Sequence, residues 1–235
     1  MVTGLSRDVA SLPRMPAIAL SIRGLRKSFA RGLARCTRRT VAISDVDLDL
    51  YQSEIVALTG AEGSGKTTLL QCACGLLRPD SGSVIARHVV AYVPPIPIYY
   101  PFLTVRDVIA LRVARTCSCR GDAVEGVIDL VQLHHARNDI VATLSPGELT
   151  RLSIAEAMSA NPAVVLIDTS TSRTALDGLC DFNLLDRIAA SGTAVMIGAR
   201  ETGEIESSVS REIRLSEGRV VHPQIAPLSV AERLH

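Results

Sequence analysis

The sequence predicts an α/β fold with a mostly parallel sheet, and three observations support this. Short apolar runs typical of buried strands alternate with segments of helical periodicity. The chain has 235 residues, of which 47% are hydrophobic and 21% charged, so one sizeable core can form and general disorder is excluded. A glycine-rich loop also joins one apolar run to a helical segment, as expected where a strand leads into a crossover helix.

The first half of the chain supplies several elements in order. Strands are predicted at residues 17–22, 46–50, 55–58 and 89–93, where apolar residues alternate or form short runs. A helix is predicted over 67–77, ended by Gly75 or Pro79, with a turn at 80–82. The prolines within 94–101 are expected to interrupt regular structure.

The second half continues the alternation. Residues 105–142 have a helical pattern and are interpreted as a helical insert. Two further buried strands are predicted at 164–167 and 194–197, and a closing hairpin around Glu217-Gly218.

Composition excludes several classes of protein. The formal net charge of +1 disfavours a general nucleic-acid coat protein. The mean hydropathy of +0.27 is high, but the uncharged stretch 89–105 contains prolines and is too short to span a bilayer. The apolar run at 15–22 has no cleavage site after it, so a signal peptide is not expected. The 6 cysteines then favour a reducing cytoplasm over a disulfide framework.

The most specific local pattern is Gly60-Ala-Glu-Gly-Ser-Gly-Lys-Thr67, called the phosphate loop below. Its glycines allow backbone N–H groups to turn inward, and the helix start after it adds partial positive charge. Lys66 is expected to reach the β- and γ-phosphates of a nucleotide, and the Thr67 hydroxyl to ligate Mg²⁺. The alternative is a glycine-rich turn without a ligand, which the strand before it and the helix after it disfavour.

Asp168 ends the apolar run that begins at Val164. A magnesium–nucleotide site needs an acid at the end of a strand beside the phosphate loop. The alternative is an aspartate that caps the next element. Because a phosphate loop is present, we interpret Asp168 as a second Mg²⁺ ligand.

The segment Leu144-Ser-Pro-Gly-Glu148, called the signature segment below, precedes a helical run. It resembles the signature motif of the ABC-type ATPases. Residues 101–106 resemble the segment after their glutamine loop, 175–177 their D-loop and 215–220 their final hairpin. The resemblance extends from about residue 18 to residue 221, and the order of the motifs makes it specific.

The resemblance implies a domain organisation. The core is expected to be a P-loop NTPase core of mostly parallel sheet, with an N-terminal antiparallel β region and a helical subdomain at about 97–145. The nucleotide-binding domain would span 16–222, between a flexible tail at 1–15 and a C-terminal tail at 223–235.

The resemblance also implies a head-to-tail dimer, either of two copies or with a second ATPase subunit. Each MgATP would lie between the phosphate loop of one protomer and the signature segment of the other. Phe29 is at the position of an aromatic ring against adenine, the alternative being an ordinary core or loop aromatic. The expected nucleotide-binding residues are Phe29, Gly60, Gly63, Ser64, Gly65, Lys66, Thr67, Thr68, Asp168, Ser145 and Gly147, with Thr67 and Asp168 as the Mg²⁺ ligands.

The sequence departs from the family pattern at the groups that activate water. Thr169 stands where the family has a glutamate, and a threonine hydroxyl is not basic enough to replace a general base, which contributes about 10²–10⁴-fold. Pro95 stands for the glutamine of the glutamine loop, and Arg200 for the switch histidine. In the signature segment, Pro146 removes an N–H and Glu148 replaces a glutamine.

These departures spare the groups that hold MgATP. We therefore expect nucleotide binding with weak or absent hydrolysis, and assign no catalytic residue. Glu201 and Asp177 are possible replacement acids, and extra residues are expected within 171–174.

Other patterns are less specific. The basic segment between Arg23 and Arg39 is interpreted as a solvated hairpin loop, with anionic lipid or nucleic acid as the alternative ligands. Cys72-Ala-Cys74 and Cys117-Ser-Cys119 are interpreted as buried thiols rather than zinc ligands.

The sequence as a whole predicts the ATP-binding subunit of an ABC-type transporter that is attached to a separate transmembrane permease subunit. Its cofactors would be ATP and Mg²⁺, and its location cytoplasmic, peripheral on the inner face of the cell membrane. Nucleic acid is not an expected partner. The alternatives are a non-hydrolysing nucleotide-sensing module and a soluble ABC-type ATPase unrelated to transport.

Overall fold

The computed structural model describes residues 17–31, 38–116, 120–169, 182–200 and 208–221. An antiparallel sheet contains strands β1 (Ile18–Arg31), β2 (Arg38–Tyr51) and β4 (Ser81–Ala86) in the order β2-β1-β4. It corresponds to the antiparallel β region that was expected near the N-terminus.

The second sheet has the order β5-β6-β7-β3-β8-β9. Its strands are β3 (Ile55–Thr59), β5 (Val90–Val93), β6 (Val164–Asp168), β7 (Ala194–Gly198), β8 (Arg211–Ser216) and β9 (Arg219–Val220). All neighbours are parallel except the closing hairpin β8-β9. The predicted α/β fold with a mostly parallel sheet is therefore confirmed.

Helices connect the strands of this sheet. They are α1 (Lys66–Ala73), α2 (Val105–Thr116), α3 (Arg120–Leu130), α4 (Pro146–Met158) and α5 (Phe182–Ala190), with a 3₁₀ turn at Val141–Thr143. Among the residues described, none of these helices is long and apolar enough to span a bilayer.

The central strands β3, β6 and β7 are buried along their whole length, because both faces of the sheet are covered. Ile55 and Ala57 of β3 pack in a core with helices α2 to α5. Val56 and Leu58, which point the other way, pack in a second core with α1 and the antiparallel sheet. Helix α1 is thus enclosed between two sheets, and the loop before it is held from both sides.

Some predicted elements were wrong in extent. The described parts of the basic segment, 23–31 and 38–39, are strand rather than loop, because β1 extends to Arg31 and β2 begins at Arg38. Helix α1 ends at Ala73 instead of residue 77, because Gly75 adopts a left-handed φ of 78° and its N–H bonds to the Cys72 carbonyl. The helical pattern over 105–142 is divided into α2, α3 and the 3₁₀ turn. Strand β4 was not predicted.

Candidate functional site

The phosphate loop connects the buried end of β3 to the start of α1. Gly60 and Gly65 have φ of 149° and 108°, which L side chains rarely adopt. A Cβ on Gly60 would lie 2.2 Å from the Leu215 carbonyl oxygen, and one on Gly65 would lie 2.4 Å from that of Ala42. The glycines therefore let the loop fit between β8 on one side and β2 on the other.

The Lys66 side chain folds back over the loop. It is 3% exposed, and its Nζ donates to the carbonyls of Gly60 at 2.7 Å and Ala61 at 2.9 Å. Burial lowers the pKa of this ammonium, and the nearby Asp168 carboxylate opposes the shift. A buried cation is thus held at the centre of the loop.

The loop opens onto a cleft of about 170 Å³ lined by Ala42, Glu62, Gly63, Gly65, Lys66, Thr67 and Thr68. A Cβ on Gly63 would meet nothing within 4 Å, so this part of the loop faces open space. Ser64 is buried behind it, where its carbonyl accepts the Gly218 N–H at 2.9 Å. Gly65, at the N-cap position, contributes no side-chain cap to α1, which favours an anion at this end of the helix.

Asp168 lies at the end of β6 and is 1% exposed. The Tyr92 hydroxyl of β5 donates to its Oδ2 at 3.2 Å. Burial raises the pKa of this phenol and the negative Asp168 raises it further, so the hydroxyl keeps the proton that it donates. Sequence reasoning did not identify Tyr92. The only signal was a single aromatic residue in the strand predicted at 89–93.

These residues fit a magnesium–nucleotide complex. The Thr67 hydroxyl and the Asp168 carboxylate are oxygen donors of the kind that Mg²⁺ prefers, and Lys66 supplies positive charge for phosphate. The Asp168 charge acts on Lys66, so the loop and the end of β6 are close together. In the described ranges no group of three or more His, Cys, Asp and Glu side chains is placed to hold a metal ion by itself.

The Thr169 side chain lies against the end of β7. It is 4% exposed, and its Oγ1 donates to the Gly198 carbonyl at 2.8 Å, alongside its own backbone N–H at 2.9 Å. Both groups therefore fasten the end of β6 to the end of β7.

Arg200 lies beside the phosphate loop, two residues after β7. Its guanidinium forms an ion pair with Glu62 at 2.8 Å, and its carbonyl accepts the Gly60 N–H at 3.4 Å. Pro95 follows the end of β5, outside any helix or strand, and is half-buried. Sequence reasoning found Arg200 and Pro95 but not Glu62, which the loop pattern leaves unspecified.

The signature segment forms a second cluster at the N-terminus of α4. Ser145 is the N-cap residue, and its Oγ accepts the Glu148 N–H at 3.3 Å. The Glu148 carboxylate in turn accepts the Ser145 N–H at 2.8 Å and its hydroxyl at 2.7 Å. These hydrogen bonds, together with His135, lower the pKa of Glu148 to about 2. Gly147 lies in the first turn, and neither it nor Ser145 lines the phosphate cleft.

Phe29 lies on β1 opposite Thr40 and is 40% exposed. The ammonium of Lys27 lies 5.6 Å from the centre of its ring. On the same strand, Arg23 pairs with Asp49 at 2.7 Å. Arg26 and Lys27 likewise pair with Asp45 and Asp80.

Several expectations concern residues outside the described ranges. These are the tails at 1–15 and 223–235, the D-loop at 175–177 with Asp177, the extra residues within 171–174, Glu201, and Cys117 and Cys119. Of the other cysteine pair, Cys72 is buried and Cys74 is half-buried, and burial raises the pKa of both thiols.

Comparison with known proteins gives matches over most of the chain. The family model for ABC transporters matches residues 43–172. The Nocardia farcinica protein named aliphatic sulfonates import ATP-binding protein SsuB 1 is 34% identical over 208 residues, covering 86% of this chain and 80% of that protein. The Bacillus subtilis protein named uncharacterized ABC transporter ATP-binding protein YdbJ is 29% identical over 192 residues. That match covers 76% of this chain but only 62% of YdbJ.

Solved structures show the same fold. A nucleotide-free ATP-binding cassette from an ABC transporter superposes with a TM-score of 0.73, covering 92% of this chain and 94% of the other. The sequences are 16% identical, so this likeness describes the fold alone.

Proposed function

Since this chain belongs to the ABC transporter family as an ATP-binding subunit, we propose that it binds MgATP at a head-to-tail dimer interface and hydrolyses it slowly or not at all at its own site. The phosphate loop carries the binding part of the proposal. Its glycines fit tightly between β2 and β8, while Lys66 and Asp168 place opposite charges at the end of the sheet.

The residues have separable tasks in binding. Backbone N–H groups of the loop and Lys66 hold the phosphates, and Thr67 and Asp168 hold Mg²⁺. When bound, Mg²⁺ neutralises charge on the phosphates. The hydroxyl of Tyr92 fixes one oxygen of Asp168.

The orientation of Thr169 supports slow hydrolysis. Its hydroxyl is committed to the Gly198 carbonyl, and the proton acceptor in that bond is the carbonyl rather than the threonine. A hydroxyl of ordinary acidity in this position does not take a proton from water near neutral pH. Loss of a general base typically lowers a rate by about 10²–10⁴-fold.

The dimer part of the proposal concerns the N-terminus of α4, which would face the nucleotide of the partner. Ser145 and Gly147 lie at this end of the helix, as that role requires. However, the Glu148 carboxylate bonds to Ser145 there, so it adds negative charge where a phosphate would approach. We expect this half of the interface to attract phosphate weakly.

A permease subunit is the proposed membrane partner, and an apolar surface beside α2 supports this. Ile98 is 92% exposed and Phe102 69% exposed. Ile98 lines a groove of about 520 Å³ that also has Arg112 and Glu156 among its lining residues. Exposed apolar patches of this kind mark interaction sites. The subunit would therefore lie on the inner face of the membrane, through this contact, with residues 97–145 as a helical subdomain. Closure of the dimer on ATP would move the permease.

Binding and hydrolysis are tested separately on the purified chain. MgATP affinity is measured by calorimetry and phosphate release at steady state, for the natural protein, Lys66→Ala and Arg106→Ala. Arg106 is an exposed residue of α2 that controls for loss of one positive charge. We expect binding that Lys66→Ala abolishes and Arg106→Ala preserves, with phosphate release no higher than in Lys66→Ala. Rapid release that depends on Lys66 would overturn the proposal of slow hydrolysis, and absence of binding would overturn the function itself.

A further inference from the structure

Two opposite charges meet at the edge of the phosphate loop. The Glu62 side chain, from within the loop, is 80% exposed and lines the cleft. The Arg200 guanidinium, 59% exposed, lies 2.8 Å from its Oε2. The two residues are 138 positions apart, so only the fold brings them together.

This ion pair is close to the cation that is expected to hold the phosphates. The positive charge of Arg200 lowers the pKa of Lys66, and the negative charge of Glu62 raises it. The Arg200 backbone also accepts the N–H of Gly60, the first residue of the loop. Arg200 is therefore anchored at the loop while its side chain is free to change partner in solvent.

We propose that Glu62 and Arg200 form an electrostatic latch through which the site selects a nucleoside triphosphate over a diphosphate. The inference rests on the proposed function, because it requires a nucleotide in the phosphate loop. In the latched state, the Glu62 carboxylate is paired with the Arg200 guanidinium. A terminal phosphate held by Lys66 competes for Arg200 and displaces Glu62.

The relative strengths of the two contacts favour this exchange. An exposed ion pair such as Glu62–Arg200 contributes only about 0–1 kcal/mol, so it separates easily. A guanidinium matches phosphate with paired, charge-assisted hydrogen bonds, which are about twice as strong as neutral ones. A diphosphate lacks the group that competes for Arg200, so Glu62 stays paired beside it.

The test compares ATP and ADP affinities, both with Mg²⁺, in a double-mutant cycle. We expect Arg200→Ala to weaken ATP binding on the order of ten- to a hundredfold while ADP binding changes little. Arg200→Lys keeps the charge without the planar fork and should recover part of the loss. We expect Glu62→Gln to tighten ATP binding up to about fivefold. This gain should disappear in the Arg200→Ala background, because Glu62 acts through Arg200.

Glu125→Gln provides the matched control, since it removes a carboxylate paired with Arg106 on the helical region. It should leave both affinities unchanged. If Arg200→Ala weakens ATP and ADP equally, or if Glu62→Gln has the same effect with and without Arg200, the latch is wrong while nucleotide binding stands. If the natural protein binds neither nucleotide, the proposed function fails first, and the latch with it.

Discussion

Adding a methyl group at Gly65 tests whether contact with β2, in addition to backbone strain at positive φ, constrains the phosphate loop. Gly65→Ala places a Cβ 2.4 Å from the Ala42 carbonyl oxygen and 2.9 Å from Ile43 Cδ1. The first contact is with backbone of β2, which cannot rotate away. Gly63→Ala is the matched control, because φ is also positive there, at 76°, but a Cβ would meet nothing within 4 Å.

Both substitutions cost free energy through backbone strain, and Gly65→Ala has an additional packing cost. Both place an L residue at positive φ, which costs about 1–2 kcal/mol, and both remove similar freedom from the unfolded chain. Only Gly65→Ala also forces backbone to shift, and overpacking of this kind costs about 1–3 kcal/mol. We therefore expect Gly65→Ala to lower the free energy of unfolding by about 2–5 kcal/mol, and Gly63→Ala by about 1–2 kcal/mol.

Urea unfolding followed by circular dichroism gives the free energy of unfolding, and calorimetry gives the MgATP affinity of each variant. Gly65→Ala should also bind nucleotide more weakly, because relieving the clash moves the start of α1 away from β2. Equal losses of stability in the two variants would contradict the reasoning, since they would show that contact with Ala42 does not constrain the loop.

Three further substitutions test other parts of the structure. Arg211→Ala should lower the free energy of unfolding by about 3–5 kcal/mol, because it leaves the Glu54 carboxylate buried without its ion-pair partner; the side chains of both residues are 2% exposed. A loss below about 1 kcal/mol in urea unfolding would contradict this. Glu148→Ala should cost about 1 kcal/mol at pH 7, because it removes the carboxylate that accepts two hydrogen bonds from Ser145 at the helix N-terminus. The folded-state pKa of Glu148, about 2, lies below its ordinary 4.5. The carboxylate therefore contributes its full stabilisation above pH 4.5, and this contribution is lost as the pH falls toward 2. Unfolding measured from pH 7 to pH 3 should show the difference shrink, and a constant difference would be the contrary result. Tyr92→Phe removes the donor to Asp168 and should raise the Mg²⁺ concentration needed for tight ATP binding on the order of tenfold. ATP binding without Mg²⁺ should be unchanged. Equal weakening of ATP binding with and without Mg²⁺ would instead indicate a purely structural role.

The parallel sheet and the phosphate loop could be predicted because their signals are local. Strands covered on both faces contain continuous apolar runs, such as Val164–Ile167 in β6. Strand β4 lacks this signal, because Ser81–Ala86 is exposed along most of its length and is held by pairing with β1. The strands of the basic segment were not predicted for a related reason. Their charged side chains, such as Arg23 and Lys27, form ion pairs with acidic residues from elsewhere in the fold.

The details of the site depend on contacts between distant parts of the chain. Tyr92 reaches Asp168 because β5 pairs with β6, where Tyr92 lies opposite Leu166. Arg200 reaches Glu62 only after β7 has joined the sheet beside β3. In contrast, the cap formed by Ser145 and Glu148 was visible in the sequence, as a serine with a glutamate three residues later, although Glu148 was interpreted only as a departure from the family pattern.

The place of β3 in the sheet has a consequence for how the protein is made. Strand β3 lies between β7 and β8, and its last residue, Thr59, donates to Glu212, which is 153 residues further along the chain. At synthesis rates of about 5–20 residues per second, a ribosome needs roughly 8–30 seconds to supply that neighbour. For most of this interval, until β7 (Ala194–Gly198) has been made, strand β3 lacks both of the strands that it pairs with in the fold. The nascent chain therefore carries an unpaired apolar segment until β7 and β8 have been synthesised, and the phosphate loop cannot take up its native packing before then.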